Sequence, residues 1–369
     1  MKRRSIDLSL GSSSTPVPAE QLLYRTTDQL GRPTVAVTTV AVPGNVPALP
    51  DVVEYLSFYD GLGSRCDPSY TLAGGNPGSA NESETEEEEL LINWYLSNGW
   101  IVTIPDFEGV HLHWMAGRQS GYATLDAARA TETYLHLASH TKVGLSGYSG
   151  GAVAADWASE LGPSYASRVN LVGVAEGGIP VDYAHMFQYI NGDQVYSSVM
   201  PGMLLGLARA FHVKLAPYLS RYGAKLVAKE RHACIGSVFG NYPGLRYQRL
   251  VKHRYRNLLH VRVFARMFDE NIMGTVRGHP RVPLFMGVGD ADGTGDGVMR
   301  VADVEALAHE YCKQGVSVDF QEYRGASHET AGVYFEPETG PFLQARFAGT
   351  PATSNCSSIG PGDSLAPSR

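Results

Sequence analysis

The pentapeptide Gly147-Tyr148-Ser149-Gly150-Gly151 constrains this chain more than any other stretch. It follows a short apolar run, Lys142 to Ser146, and precedes a segment of helical character, Ala152 to Leu161. G-x-S-x-G between a strand and a helix is the setting of a nucleophile elbow. The sharp turn strains the backbone at the serine and lifts its Oγ clear of the strand end. Small residues two positions before and after it let strand and helix approach closely. The helix N-terminus, aimed at the serine, favours negative charge beside it. Glycine makes up 41 of 369 residues, so the pattern alone is weak and its strand–turn–helix context gives it force. Ser149 is a candidate nucleophile, with Gly147, Tyr148 and Gly151 shaping the turn.

The segments around the elbow alternate between two periods. Thr34–Val42, Val52–Tyr59, Trp100–Pro105 and Val169–Ala175 are rich in β-branched and aromatic residues and read as strands. Asn81–Leu96, closed by Asn98-Gly99, and Tyr122–Ala138 read as helices. The acidic run Glu82, Glu84 and Glu86 to Glu89 reads as a solvated helix start, where carboxylates suit the dipole. Strands alternating with helices imply an α/β fold with a mostly parallel sheet covered on both faces. Residues 1–20 and 351–369, rich in Ser, Pro and Gly, read as terminal tails around core segments 21–178 and 281–350. Between them, residues 179–280 offer helical pieces, Met203–Phe211, Lys214–Glu230 and Leu245–Leu259, and read as a helical cap or lid inserted over the end of the sheet. Their Met and aromatic side chains, among them Met186, Phe187, Met200 and Met203, fit a core that also adapts to an apolar ligand. The sheet pattern resumes at Val282–Gly289, then a helix Val301–Gln314, a strand Val316–Tyr323 and a last helix near Gly340–Phe347.

A serine is too weakly acidic to attack alone and needs a base, which a carboxylate orients. After an elbow serine these follow as acid and then His, each in a loop after a later strand. His328 lies just past the strand Val316–Tyr323 and is the candidate base. Asp290, Asp292 and Asp296 lie just past the preceding strand. Asp296 is favoured because Gly297-Val298-Met299 leads from it into the next helix; Asp290 has the shorter reach from the strand, and Asp292 remains a third option. The same loop begins like an EF-hand but lacks the glutamate such a loop places at its twelfth position, so no metal is expected there. The oxyanion needs backbone donors. The N–H of Gly150 is one, and the loop Asp60-Gly61-Leu62-Gly63 is the best source of the other.

Composition excludes several alternatives. No apolar run reaches the ~18 residues of a transmembrane helix. Net charge is −7, and no basic–aromatic alternation suggests nucleic acid. Met1 to Asp7 is basic like the start of a signal peptide, but Asp7 and the stretch Gly11–Pro18 leave no apolar h-region. The chain therefore reads either as a mature form or as one not exported by that route. Cys66, Cys234, Cys312 and Cys356 lack C-x-x-C spacing, so zinc is not expected; two disulfides or free buried thiols both fit the count.

Four stretches together resemble the secretory lipase family of the α/β-hydrolases, the lipase A type: Phe58–Asp60 through Cys66-Asp67-Pro68-Ser69-Tyr70, Gly99–Val102 through Pro105-Asp106-Phe107-Glu108-Gly109, Gly147–Gly151, and Cys312 through His328. The resemblance implies Ser149, Asp296 and His328 as the catalytic triad, and an oxyanion hole from Asp60 and Gly150. It implies disulfides Cys66–Cys234 and Cys312–Cys356, a secreted protein, and a lid that shapes an acyl tunnel and meets a lipid interface. It further implies a lipase acting on acylglycerols or other fatty-acyl esters without cofactor or metal. A short-chain carboxylesterase, an amidase or peptidase on the same fold, and a binding protein with a silent site are the alternatives.

Overall fold

A computed structural model describes residues 1–8, 17–75 and 80–367, with residues 80–87 as backbone only. Nine strands form one sheet: β1 (Lys2–Leu8), β2 (Val17–Thr27), β3 (Pro33–Ala41), β4 (Val52–Leu56), β5 (Ile101–Pro105), β6 (Lys142–Tyr148), β7 (Asn170–Gly177), β8 (Leu284–Asp290) and β9 (Val318–Arg324). Their order is β1-β2-β3-β5-β4-β6-β7-β8-β9. Strands β4 to β9 run parallel, while β1 to β3 add an antiparallel edge. Every residue of β4 and β5 is buried, as the continuous apolar runs of a two-sided sheet require.

Helices α1 (Pro68–Thr71) and α2 (Ala80–Ser97) precede β5, and α3 (Gly117–Leu135) and α4 (Gly150–Tyr165) bracket β6. The cap holds α5 (Tyr183–Tyr189), α6 (Met200–Ala210), α7 (Arg221–Glu230) and α8 (Arg262–Asp269), and α9 (Val301–Lys313) and α10 (His328–Phe347) complete the chain. The two-residue alternation of the strands sorts the core into two layers. Val52 and Leu56 pack with α3 and α4, whereas Val53 and Tyr55 pack with Tyr95 of α2 and with Leu343 and Phe347 of α10. The cap's apolar side chains join the first of these layers rather than forming a separate core.

The structure corrects several sequence expectations. Residues 1–8 and 17–20 are not a tail: β1 pairs antiparallel with β2, from Lys2 opposite Leu23 to Leu8 opposite Val17. Most of β1 faces solvent, so no apolar period marks it, and its charged side chains suit an unprotected edge. Residues 351–367 are bound to the body. The Asn355 N–H donates to Val318 O, its side chain accepts from the Phe320 N–H, and Cys356 is bonded to Cys312. Leu245–Leu259 contains only single 3-10 turns, and Lys214–Glu230 is helical only from Arg221. The last helix begins at His328, not near Gly340; the Ser327 hydroxyl caps it by accepting from the Thr330 N–H. Glu88 and Glu89 are buried rather than solvated, and Glu88 accepts from the Ser57 hydroxyl and the Phe58 N–H; the side chains of the preceding glutamates lie outside the described residues.

Candidate active site

Ser149 sits between β6 and α4 with φ 51° and ψ −116°. A non-glycine residue held at positive φ is strained, and the surrounding packing maintains it. A Cβ on Gly147 would lie 2.5 Å from the Gly151 carbonyl carbon, and one on Gly151 would lie 1.9 Å from Leu56 O. Glycine at these two places therefore lets strand, turn and helix meet. The Ser149 N–H donates to Gly177 O at 2.8 Å, which fixes the serine against β7.

His328 and Asp296 reach Ser149 from the two later strands. His328 Nε2 lies 2.9 Å from Ser149 Oγ, and His328 Nδ1 lies 2.8 Å from Asp296 Oδ2. The other Asp296 oxygen accepts from the N–H groups of Val298 and Met299 at 2.8 and 2.6 Å. The His328 N–H donates to Asp296 O, and the Tyr148 hydroxyl donates to His328 O, so both neighbours of the ring's attachment point are held. The Tyr148 ring packs 5.1 Å from the imidazole. Burial pulls the His328 pKa down, but the charge and hydrogen bond of Asp296, with the charges of Glu329 and Asp60, together offset this and the pKa is raised. Of the three aspartates in this loop only Asp296 meets the histidine. Asp292 accepts from Thr294, Gly295 and the Tyr189 hydroxyl, and Asp290 holds the Gly325 N–H through its carbonyl.

Opposite the serine, the Asp60 carboxyl covers Gly150 so closely that a Cβ there would lie 2.1 Å from Asp60 Oδ1. Asp60 is buried, and burial lifts its carboxyl to about 7 although the nearby His328 favours its charge. Among the described residues, neither the Asp60 N–H nor the Gly150 N–H donates to a protein acceptor. The Asp60 loop is anchored on both sides. Asp60 O accepts from the Ile235 N–H at 3.0 Å, Leu62 N–H donates to Ala233 O, and Gly61 N–H donates to buried Glu108. The disulfide Cys66–Cys234 ties the same loop to the cap.

A cavity of about 320 Å³ opens on Ser149. Its apolar walls come from Phe58, Ile235, Phe239 and Val333, with Glu329 and Glu336 also lining it. The cap residues in contact with it are thus Ile235 and Phe239. Met186, Phe187, Met200 and Met203 are buried in the core, in keeping with the core reading of the cap's apolar residues, and do not line this cavity. Gly332 and Glu336 fall four and eight residues after His328 on α10, a helical spacing that would have revealed them had the helix start been recognised. The Tyr196 hydroxyl donates to Glu329, a contact with no sequence signal.

The one group of potential metal ligands among the described residues is His185, Asp303 and Asp363. Its members are already paired: His185 Nδ1 lies 2.7 Å from Asp303, and Asp363 pairs with Arg300 outside the group. It joins α5 to α9 and to the C-terminal segment, away from Ser149.

A Ser–His–Asp line at the end of a mostly parallel sheet defines an α/β-hydrolase. The structure superposes on Candida antarctica lipase A with a TM-score of 0.89 at 27% identity, covering 100% of this chain and 86% of that one. The chain is 33% identical over 367 residues to a secreted triacylglycerol lipase, LIP7, of Malassezia globosa, covering 94% of this chain and 75% of that protein. It is also 29% identical over 362 residues to a Mycobacterium tuberculosis protein named a probable inactive lipase, covering 96% and 79%. The secretory lipase family model matches residues 76–355. The chain belongs to the secretory lipase family, and the activity this membership carries is carboxylic ester hydrolysis.

Proposed function

We propose that this protein hydrolyses fatty-acyl esters, acylglycerols foremost, through an acyl-enzyme on Ser149. The observation that carries this reading is the unbroken hydrogen-bonded line Asp296–His328–Ser149, facing the unpartnered N–H groups of Asp60 and Gly150. His328 Nε2 takes the hydroxyl proton as Ser149 Oγ attacks the ester carbonyl, and Asp296 stabilises the resulting imidazolium. The N–H groups of Gly150 and Asp60 receive the oxyanion. Collapse expels the alcohol, which leaves with the proton from His328. Water then gives a proton to His328 and attacks the acyl carbon, and Ser149 departs as it regains its proton. No step calls for a metal or cofactor.

The apolar walls of the cavity suit an acyl chain, and its contacts with Ile235 and Phe239 make the cap the side that meets a lipid interface. Two disulfides fit an oxidising compartment, and the M. globosa relative is named secreted; we place the protein's action outside the cell. The relative named inactive makes a silent site the reading to exclude, and here the hydrogen-bonded line is complete. The test is turnover of a p-nitrophenyl ester series from acetate to palmitate beside emulsified triglyceride, with Ser149→Ala as control. Turnover of long chains and emulsion, abolished in a folded Ser149→Ala, is the expected result. Activity confined to short esters would make the protein a carboxylesterase. Wild-type turnover in the variant would overturn the assignment of Ser149.

A further inference from the structure

The charge of this chain is distributed very unevenly. Residues 209–266, all within the cap, hold 13 of its 30 Lys and Arg but only one, Glu230, of its 37 Asp and Glu. The rest of the molecule therefore carries 17 basic against 36 acidic residues, and the chain-wide net charge of −7 conceals a cap of opposite sign. The single acidic residue does not offset the cations, because Glu230 is buried and burial pushes its carboxyl up to about 8.

The basic side chains form a surface rather than a scatter. Arg221 and Lys225 lie one turn apart on the exposed side of α7, whose opposite side buries Leu226 and Val227. The segment after Arg249 runs against the start of that helix. Ser220 N–H donates to Leu250 O, Lys252 N–H donates to Tyr218 O, and Leu219 bridges Val251. This brings Arg249 and Lys252, both exposed, beside Arg221 and Lys225. Aromatic rings lie among them: the Arg249 guanidinium stacks over Tyr222 at 4.7 Å, and that of Arg254 over Tyr255 at 4.7 Å. Among the described residues, the only ion pair made by a basic residue of 209–266 is Arg266–Glu270, outside this patch.

We infer that this basic, tyrosine-bearing face of the cap is a docking surface for an anionic lipid–water interface. The inference rests on the reading of the protein as a lipid ester hydrolase. Charge complementarity selects the partner: exposed Arg and Lys attract anionic head groups, while the acidic remainder is repelled and turns away, so the field orients the molecule as it approaches. Long basic stems and tyrosine rings keep apolar bodies with polar ends, the composition of a membrane-interface belt. The same cap contributes Ile235 and Phe239 to the cavity over Ser149, so docking through it presents the site to the lipid. Hydrolysis itself releases carboxylates into the interface, and such a face binds more tightly as they accumulate.

The test uses full-length Ser149→Ala, which binds without turnover, and sedimentation with phosphatidylcholine vesicles with and without phosphatidylglycerol. The expected result is preferential binding to the anionic vesicles, weakened at high salt. The fourfold variant Arg221→Gln/Lys225→Gln/Arg249→Gln/Lys252→Gln loses that preference by about 600-fold, since each basic side chain near an anionic surface contributes roughly a fivefold gain. In the otherwise wild-type enzyme the same substitutions leave hydrolysis of soluble p-nitrophenyl butyrate unchanged, which shows that the fold persists. Should that activity fall, the double variant Lys225→Gln/Lys252→Gln, which leaves the Arg249–Tyr222 stack in place, is measured instead. Equal binding to neutral and anionic vesicles, or unchanged binding by the variant, overturns the proposal. So does retention on heparin without vesicle binding, which would identify a soluble polyanion as the partner. Because vesicle binding needs no turnover, its failure is separate from failure of the esterase reading, which soluble-ester hydrolysis reports.

Discussion

Gly150→Ala tests the oxyanion site with a single methyl group. The added Cβ would lie 2.1 Å from Asp60 Oδ1 and 2.5 Å from its Cγ, whereas an ordinary contact is 3.4 Å or more. Asp60 must therefore retreat by about 1 Å. Its backbone cannot follow freely, because Asp60 O, Gly61 N–H and Leu62 N–H are each hydrogen-bonded and the Cys66–Cys234 bond closes the loop. The clash is between the side chains of the two residues whose N–H groups are proposed to receive the oxyanion, and no atom of the line Asp296–His328–Ser149 is among those the Cβ meets. Misplacing or losing one oxyanion donor costs on the order of 10²–10³ in kcat. Overpacking one methyl costs about 1–3 kcal/mol of stability, a fall of several degrees in Tm. The assay is kcat and KM on p-nitrophenyl butyrate, with Tm measured on the same preparation. The expected result is kcat reduced at least ~100-fold with KM little changed in a folded protein. A folded variant with kcat within about threefold of wild type would refute the placement of the oxyanion site between Asp60 and Gly150.

Two further outcomes follow from the same geometry. Asp296→Asn, which removes the charge and reverses the hydrogen bond that fixes the His328 tautomer, is expected to lower kcat by about 10⁴-fold. His328 must be neutral to accept the serine proton, so activity is lost as pH falls through its pKa. Burial lowers that pKa, and Asp296 foremost, with Glu329 and Asp60, more than restores it, so the wild-type acid limb should lie above the ordinary histidine value and move down in the variant; a limb that stays in place would contradict the coupling. The second concerns Asp156, Glu160 and Glu176, buried together with Tyr311, whose hydroxyl donates to Asp156 and Glu160. Burial pushes Glu160 up to about 7, and the other two carboxyls are also raised. A folded pKa above the unfolded one gives stability that is present at low pH and lost as pH rises through the folded value. Tm should fall by several degrees between about pH 5 and about pH 8, and Glu160→Gln, which keeps the neutral form, should reduce that fall; a pH-independent Tm would show that these acids stay paired in another way.

The site was legible because its three side chains each follow a strand that ends in a recognisable turn. The elbow glycines mark Ser149, and strand-then-loop order marks His328 and the aspartate loop. The preference for Asp296 over Asp290 and Asp292 is supported by its hydrogen bond to His328 and by the Val298 and Met299 N–H groups that hold its other oxygen. What the sequence concealed depends on distant partners. β1 has no apolar period because its faces are mostly in water, and it exists because β2 lies beside it. Glu88 looks like one of a solvated run, yet it is buried on groups some thirty residues upstream. The start of α10 is hard to read from the sequence because Pro337 and Pro341 lie inside the helix and discourage a helical reading. The basic face of the cap was hidden because Arg221 and Lys252, far apart in sequence, become neighbours only through the contacts of Ser220 and Tyr218.

The most direct test of Ser149 as an activated nucleophile is mass-spectrometric mapping of the adduct formed with a fluorophosphonate probe. The expected result is one adduct per chain, on the peptide containing Ser149, abolished in Ser149→Ala and slowed severely in Asp296→Asn. No adduct, or an adduct on another residue, would contradict the claim that the line Asp296–His328–Ser149 is the reacting site.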